Sequence, residues 1–362
     1  MAYYHPSFGN IGERRKRRFN RKFLFVTSVI LFLIFALFTY AFYKTVLEEN
    51  VWVGGENHAD VEIPTGTDFE GVKEILFRKG VIIHRQSFEL VSKWLKYDEN
   101  VKPGRYLLAQ GMNNLEVVRL LRSGAQSPVM VTFNNMRDVF QLAGRVSTQI
   151  EADSNSIVSL LTDTAYLSFL GFNEKTIPAL FIPNTYEFYW TTNAESFISR
   201  MFQENKKFWN STRIDKMKVL NMNEIQVSTL ASIIEKETNK NDEKARMAGV
   251  YINRLRNGWR LQADPTLVFA VGDFEIRRVL DIHKTIESPY NTYKYGGLPP
   301  GPICIPSIAS IDAVLNYENH KYFFFCAKDD LSGYHAFAET NAQHEMNAWR
   351  YRQALDRLNI RK

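Results

Sequence analysis

Leu230–Thr238 reads LASIIEKET, and its spacing decides what kind of element this is. Leu230, Ile233, Ile234 and position 237 recur at the period of a helix that buries one stripe. At about 100° per residue, Glu237 falls roughly 20° from the direction of Leu230, between Ile233 on one side and Ile234 on the other. A carboxylate therefore stands in the middle of an apolar stripe. Glu235 points roughly 140° away from Leu230, where water is expected. A carboxylate on a core face costs several kcal/mol unless paired, or it keeps its proton with a raised pKa. An acid still protonated near neutral pH is what a general acid needs to cleave a glycosidic bond. The alternative is a Glu at the rim of the stripe, salt-bridged to a neighbour.

Working outward towards the N-terminus, Phe23 to Tyr43 is a run of 21 residues without a charge. At about 1.5 Å per residue it just crosses a hydrocarbon core of about 30 Å. Arg14-Arg15-Lys16-Arg17-Arg18 stands before it, followed by Arg21 and Lys22. Such a block stays in the cytoplasm, so the chain beyond Tyr43 is expected outside it, behind a single-pass anchor in the cell (inner) membrane. The run is long for a signal peptide, and Lys44-Thr45-Val46-Leu47 offers no small-x-small cleavage site.

The basic tail also accounts for the chain's charge. Residues 1–22 hold seven Lys or Arg against one Glu, a net +6 that equals the charge of the whole chain. The remaining 340 residues balance at zero, so no polyanion-binding surface and no nucleic-acid partner is implied. Cys304 and Cys326 could pair once exported or remain thiols. There is no CxxC, HExxH or GxSxG, which removes the local signs of zinc-protease and serine-esterase chemistry.

The expected fold class is α+β, in the order basic tail (1–22), transmembrane helix (23–43), polar linker (44–58), small α+β module (59–127), intermediate region (128–220) and catalytic region (221–362). In the module, Val61 and Ile63 alternate as in a strand. Thr67-Asp68-Phe69-Glu70 reads as a capping box opening a helix that Gly80 stops. A second helix presents Phe88, Val91 and Leu95. Pro103-Gly104 turns into the strand candidate Arg105–Leu108, and Asn113 with Glu116 caps a third helix ending at Gly124. This strand–helix–helix–strand unit resembles the glycan-binding LysM module, although the pattern also suits a generic packing domain. Further on, a strand is expected over 129–133 and helices around 137–149 and 195–209. Beyond Met222, helices alternate with stiff loops: Gln262-Ala263-Asp264-Pro265-Thr266, Ser288-Pro289-Tyr290-Asn291-Thr292-Tyr293 and Gly297-Leu298-Pro299-Pro300-Gly301-Pro302. Singly each reads as scaffold; together they suit a surface that holds sugars by stacking and bidentate hydrogen bonds.

LASIIEKET, Tyr251-Ile252-Asn253-Arg254-Leu255 with Leu261–Thr266, SPYNTY, GLPPGPI and Gly333-Tyr334-His335-Ala336-Phe337, in this order, resemble the YceG-like endolytic murein transglycosylases. The resemblance spans essentially the whole chain after the basic tail. It implies a YceG-like α+β catalytic domain in which Glu237 is the acid/base, acting on peptidoglycan glycan strands with neither metal nor cofactor. It also implies peptidoglycan synthases of the elongation machinery as partners. Gln262, Asp264, Tyr290, Asn291, Tyr293, Pro299 and His335 are the expected substrate contacts. Three departures stand out: Pro183-Asn184-Thr185-Tyr186 where the family usually has PDTY, Ala263 where Thr is usual, and His335-Ala336-Phe337 for HTF. A hydrolytic muramidase using Asp264 or Glu235 as second carboxylate, or a non-enzymatic glycan-binding scaffold, are the rival functions.

Overall fold

The computed structural model describes residues 1–3, 21–276 and 278–358; most of the basic tail, including Arg14–Arg18, lies outside the described residues. Helix α1 (Arg21–Phe42) buries none of its side chains, and with its continuation to Leu47 it is long and apolar enough to cross a membrane. The chain divides into two compact units, Met1–Ala125 and Gln126–Lys362.

In the first unit, β1 (His58–Ile63) is followed by α2 (Phe69–Arg78), α3 (Arg85–Trp94), β2 (Gly104–Ala109) and α4 (Asn114–Ser123). β1 and β2 pair antiparallel with Val61 opposite Tyr106, and Val61, Ile63, Tyr106 and Leu108 point into a core closed by the apolar faces of the three helices. The capping box forms at Asn113–Glu116, and Gly124 ends α4 in the left-handed region at φ +74°. At α2 the cap differs from expectation. Asp68, not Thr67, accepts from the Gly71 N–H, because Thr67 is held in the preceding turn by its bond to the Pro64 carbonyl and Glu70 is taken by Lys73 at 2.8 Å.

The linker expected over residues 44–58 is also corrected. α1 runs on without a break into one wide turn, Tyr43–Leu47, and Val46 and Val51 are buried in the module core. Asn50 is 1% exposed, and the Asn50 amide shares hydrogen bonds with His84 and with Asn114. Polar residues suggested a solvated tether, but they are satisfied inside the fold.

The second unit begins with β3 (Val129–Phe133), α5 (Val139–Ser147), α6 (Ser154–Thr162), α7 (Thr164–Phe169), β4 (Asn184–Phe188) and α8 (Ala194–Phe208) around one core. β3 and β4 pair antiparallel with Val131 opposite Tyr186, so Asn184–Phe188 of the PNTY motif region is a strand. α9 (Ser211–Leu220), α10 (Glu224–Glu237), α11 (Asn241–Arg256), α12 (Asp264–Val271) and α13 (Ile308–Leu315) surround a second core, in which Val227, Leu230, Ile233 and Ile234 of α10 are fully buried. The hairpin β5 (Phe324–Ala327) and β6 (His335–Ala338) and helix α14 (Asn341–Arg357) complete the unit. Cys304 and Cys326 are both free thiols.

Candidate active site

The site is built where α10 ends. Asn223 and Gln226 cap its start reciprocally, the apolar stripe draws it into the core, and Glu237 is its last residue before Thr238 turns extended. Four influences act on the Glu237 carboxyl. Burial disfavours its charge most, the Tyr251 hydroxyl opposes by donating a hydrogen bond to Oε1 at 2.6 Å, the nearby Asp264 carboxylate disfavours the charge again, and the Arg254 guanidinium favours it. The result is a pKa of about 7. The helix C-terminus, carrying the negative end of the macrodipole, acts in the same direction as burial. Tyr251 is fully buried on α11, one turn from Arg254; burial and the adjacent Glu237 raise its phenol well above the usual range, so it serves as a donor.

Asp264 reaches the same place from a loop stitched to its neighbour. The Gln262 N–H donates to the Thr292 carbonyl, Ala263 N–H donates to Thr292 Oγ1 at 3.0 Å, and the Thr266 and Thr292 hydroxyls meet at 2.9 Å. Gln262 sits at φ +50°, uncommon without glycine, and this bend starts α12 with Asp264 in its first turn. Tyr293 donates to Asp264 Oδ1 at 2.5 Å. Two carboxyl groups thus stand at opposite kinds of helix end, one biased to keep its proton.

Glu237 and Asp264 lie where two cavities meet. One, about 1200 Å³, is walled by Arg137, Phe269, Phe274, Arg278, Ile303 and the α14 residues Tyr351 and Arg352. The other, about 370 Å³, is lined by Arg254, Gln262, Tyr293, Phe324, Phe325 and the α14 residues Asn341 and His344. An acid between two open cavities can act on the interior of a long polymer, because chain can leave on either side. The family model that matches residues 61–350 is described as the YceG-like family. The chain belongs to the YceG-like family. It is 27% identical over 325 residues to an endolytic murein transglycosylase of Bacillus subtilis, covering 85% of this chain and 89% of that one. It is 26% identical over 359 residues to one from Streptococcus pneumoniae R6, covering 89% of this chain and 64% of that protein's length. A crystal structure of a YceG-like protein from Listeria monocytogenes superposes with a TM-score of 0.54 at 27% identity, covering 80% of this chain and 98% of that one.

Of the contacts expected from this YceG-like sequence, Gln262, Asp264 and Tyr293 stand with Glu237, and four others do not. Asn291 is fully buried, and its amide is spent on its own loop: it donates to the Lys284 and Ile286 carbonyls and accepts from the Tyr293 and Lys294 N–H groups. It shapes the loop that presents Tyr293. Tyr290 packs on Phe269 with ring centroids 4.6 Å apart, inside the core. Pro299 is buried, and in Gly297–Ile303 only Ile303 reaches the larger cavity. That segment is wedged in place: the Ile303 N–H donates to Ser232 Oγ, and a Cβ on Gly301 would meet the Lys175 carbonyl oxygen at 2.0 Å. His335 is held by Glu243 through its backbone N–H at 2.7 Å and Nδ1 at 3.0 Å, one layer behind Phe325. Asn184, where the family usually has Asp, is exposed at the start of β4 and outside both cavity linings.

The clearest correction concerns Glu235. Its side chain is 9% exposed rather than facing water. It accepts from Lys244 Nζ at 3.2 Å, from the hydroxyls of Ser307 and Ser310, and from Asn135 at 2.9 Å. Burial pushes its pKa up, but the two hydroxyls and the ammonium outweigh it and hold the carboxyl below its ordinary value. The helical wheel describes α10 alone; the N-terminus of α13, whose cap is Ser307, covers the face that the wheel assigns to water.

Sequence reading also missed Tyr251 and Arg254, which it quoted only as part of a motif, and all of α14. For Tyr251 a signal existed: with Met247, Ala248 and Ile252 it shares the buried side of α11, so its hydroxyl needed a partner. For α14 there was none, since that helix buries no residue fully.

Tyr251→Phe tests how the proton is held. The hydroxyl favours the charged form of Glu237, so its loss should raise the acid's pKa above about 7. A charge-assisted hydrogen bond of about 1.5–3 kcal/mol corresponds to a shift of about one unit or more. The alkaline limb of the kcat–pH profile should move up by that amount. A limb that stays in place means that Tyr251 does not set the ionisation.

Proposed function

We propose that this chain is a membrane-anchored endolytic murein transglycosylase, with Glu237 as acid and then base. It would cleave the β-1,4 bond between N-acetylmuramic acid and N-acetylglucosamine inside nascent strands, helping to terminate their elongation. The observation that carries the reading is one carboxyl of pKa about 7 between two cavities, in a YceG-like chain whose curated relatives are named for this activity. The protonated Glu237 gives its proton to the leaving glycosidic oxygen. As a carboxylate it then takes the proton from the substrate's own C6 hydroxyl as that oxygen closes on C1, leaving a 1,6-anhydro end. The nucleophile is part of the substrate, so a second carboxylate is not needed to activate water, and a bimolecular step becomes intramolecular. The Asp264 carboxylate, held by Tyr293, is placed to offset the positive charge that develops on the ring. Arg254 is fixed by the Phe323 and Leu261 carbonyls, which keeps its charge at the polar end of the site.

Helix α1 supports a single-pass anchor in the cell membrane, and the basic block that precedes it in the sequence supports placing the catalytic unit on the exported side. The β1–α2–α3–β2 arrangement of the first unit supports a LysM-like glycan-binding role. Peptidoglycan synthases are the corresponding partners.

Asp264 favours one rival, a hydrolytic muramidase, because it lines both cavities with Glu237. Glu235 does not serve as its base: its oxygens are committed to Lys244, Ser307, Ser310 and Asn135. Mass spectrometry of the products from uncrosslinked peptidoglycan decides. Anhydro ends are expected throughout; reducing ends establish hydrolysis, and intact strands return the protein to a scaffold role.

A further inference from the structure

Helix α1 does not hang from the first unit by a loose joint. Its continuation carries Val46 into the module core, and the Thr45 carbonyl accepts from the amide of Asn114, a residue with no solvent exposure, at 2.8 Å. Phe42, the last residue of α1, meets Trp94 of α3 edge-on at 6.3 Å between ring centroids. The depth of Phe42 in a bilayer therefore sets the depth of Trp94. Phe42 is one residue from the end of the apolar run Phe23–Tyr43, and a run of that length, about 30 Å, brings it to the edge of the hydrocarbon.

The face of α3 around Trp94 is built for that level. Trp94 is 60% exposed and Leu90, one turn earlier on the same side, is 62% exposed. Lys93 and Lys96 are exposed beside them, while the acidic Glu89 is turned to Lys73 at 3.5 Å. Tryptophan collects at the membrane–water interface because its ring is apolar and its N–H is polar. Lysines near the surface are drawn to anionic headgroups.

We propose that this face of α3, Leu90 and Trp94 with Lys93 and Lys96 beside them, seats in the headgroup region of the leaflet from which α1 emerges. The first unit then holds the lipid surface at a second point, and its tilt is fixed. This inference rests on α1 spanning the membrane. The occupant is the anionic lipid surface itself, by continuity with α1 through Phe42 and by the sign of the lysines.

The test uses the full chain in vesicles containing phosphatidylglycerol whose acyl chains are brominated either near the glycerol or deep in the bilayer. Subtracting the Trp94→Phe spectrum isolates the Trp94 emission. The expected result is strong quenching of that component by the shallow label, weaker quenching by the deep one, and a loss of quenching in Lys93→Glu/Lys96→Glu. Hydrogen exchange over α1 and resistance to alkaline extraction report the anchor separately. An embedded α1 with unquenched Trp94 overturns the proposal and leaves that face to water or a protein partner. An extractable chain overturns the anchor, and the proposal with it.

Discussion

Glu237→Gln is expected to abolish glycan cleavage and at the same time to stabilise the fold. A general acid contributes about 10²–10⁴-fold in rate, and in the proposed mechanism the same residue also takes the second proton, so the loss should reach at least that range. The stability effect follows from the sign of the pKa shift. The folded state raises the carboxyl from 4.5 to about 7, so it binds the proton more tightly than the unfolded chain does. Below about pH 4.5 the group is protonated in both states and imposes no penalty. Between pH 4.5 and about 7 the unfolded state ionises first and the native state is progressively disfavoured; above that the penalty is constant. The amide never ionises, and its carbonyl can still accept the Tyr251 hydrogen bond. At 1.36 kcal/mol per unit the variant should exceed wild type by about 1–3 kcal/mol at pH 8, with the gap closing towards pH 4.5. Denaturant melts at the two pH values, read beside a cleavage assay, check both halves. Near-wild-type cleavage would remove Glu237 from its role, whereas a stability gap independent of pH would remove the buried-acid account.

Glu235→Gln should have the opposite effect on stability, and a large one. Neutralising this residue leaves the Lys244 ammonium, whose side chain is 4% exposed, without its counter-charge. Breaking a buried pair by removing one partner typically costs about 3–5 kcal/mol. It also weakens the acceptor on which Ser307 and Ser310 converge, which ties the α13 N-terminus to α10. Because this carboxyl's folded pKa is depressed, its contribution is present above its ordinary value near 4.5 and disappears as pH falls through the lower folded value. Adding Lys244→Met should recover most of the loss, since no unpaired charge then remains inside. A Glu235→Gln protein as stable as its parent at neutral pH would show that the pair carries no net weight.

The two acids of EKET mark how far the sequence could be read. Local periodicity placed Glu237 on the apolar face of its helix, and caps such as Asn113–Glu116 were legible because their bonds close within one turn. The strand at Val61 and Ile63 was legible from alternation and that at Arg105–Leu108 from the Pro103-Gly104 turn before it, whereas the pairing of Val61 with Tyr106 came only with the fold. Glu235 was misread because its environment comes from Ser307 and Lys244 on other elements, and a wheel drawn for one helix cannot contain them. Asn291 and Tyr290 read as substrate contacts in the sequence because loops rich in Asn and Tyr suit sugars. The same groups equally suit a loop that must satisfy its own carbonyls, and only the fold distinguishes the two. α14 was invisible as a site element: a largely polar helix has no periodic signal pointing to a cleft.

By itself, then, the sequence determined the apolar N-terminal run, the helical face on which Glu237 stands and the order of motifs that carries the family, all set by spacing within short windows. The tertiary structure alone decided that Tyr251 and Asp264 meet Glu237, that α14 helps wall both cavities, that Glu235 is a buried tie and that α1 is fused to its module. Those outcomes depend on contacts between residues far apart in the chain, and the proton on Glu237 is held by the desolvation that such contacts create.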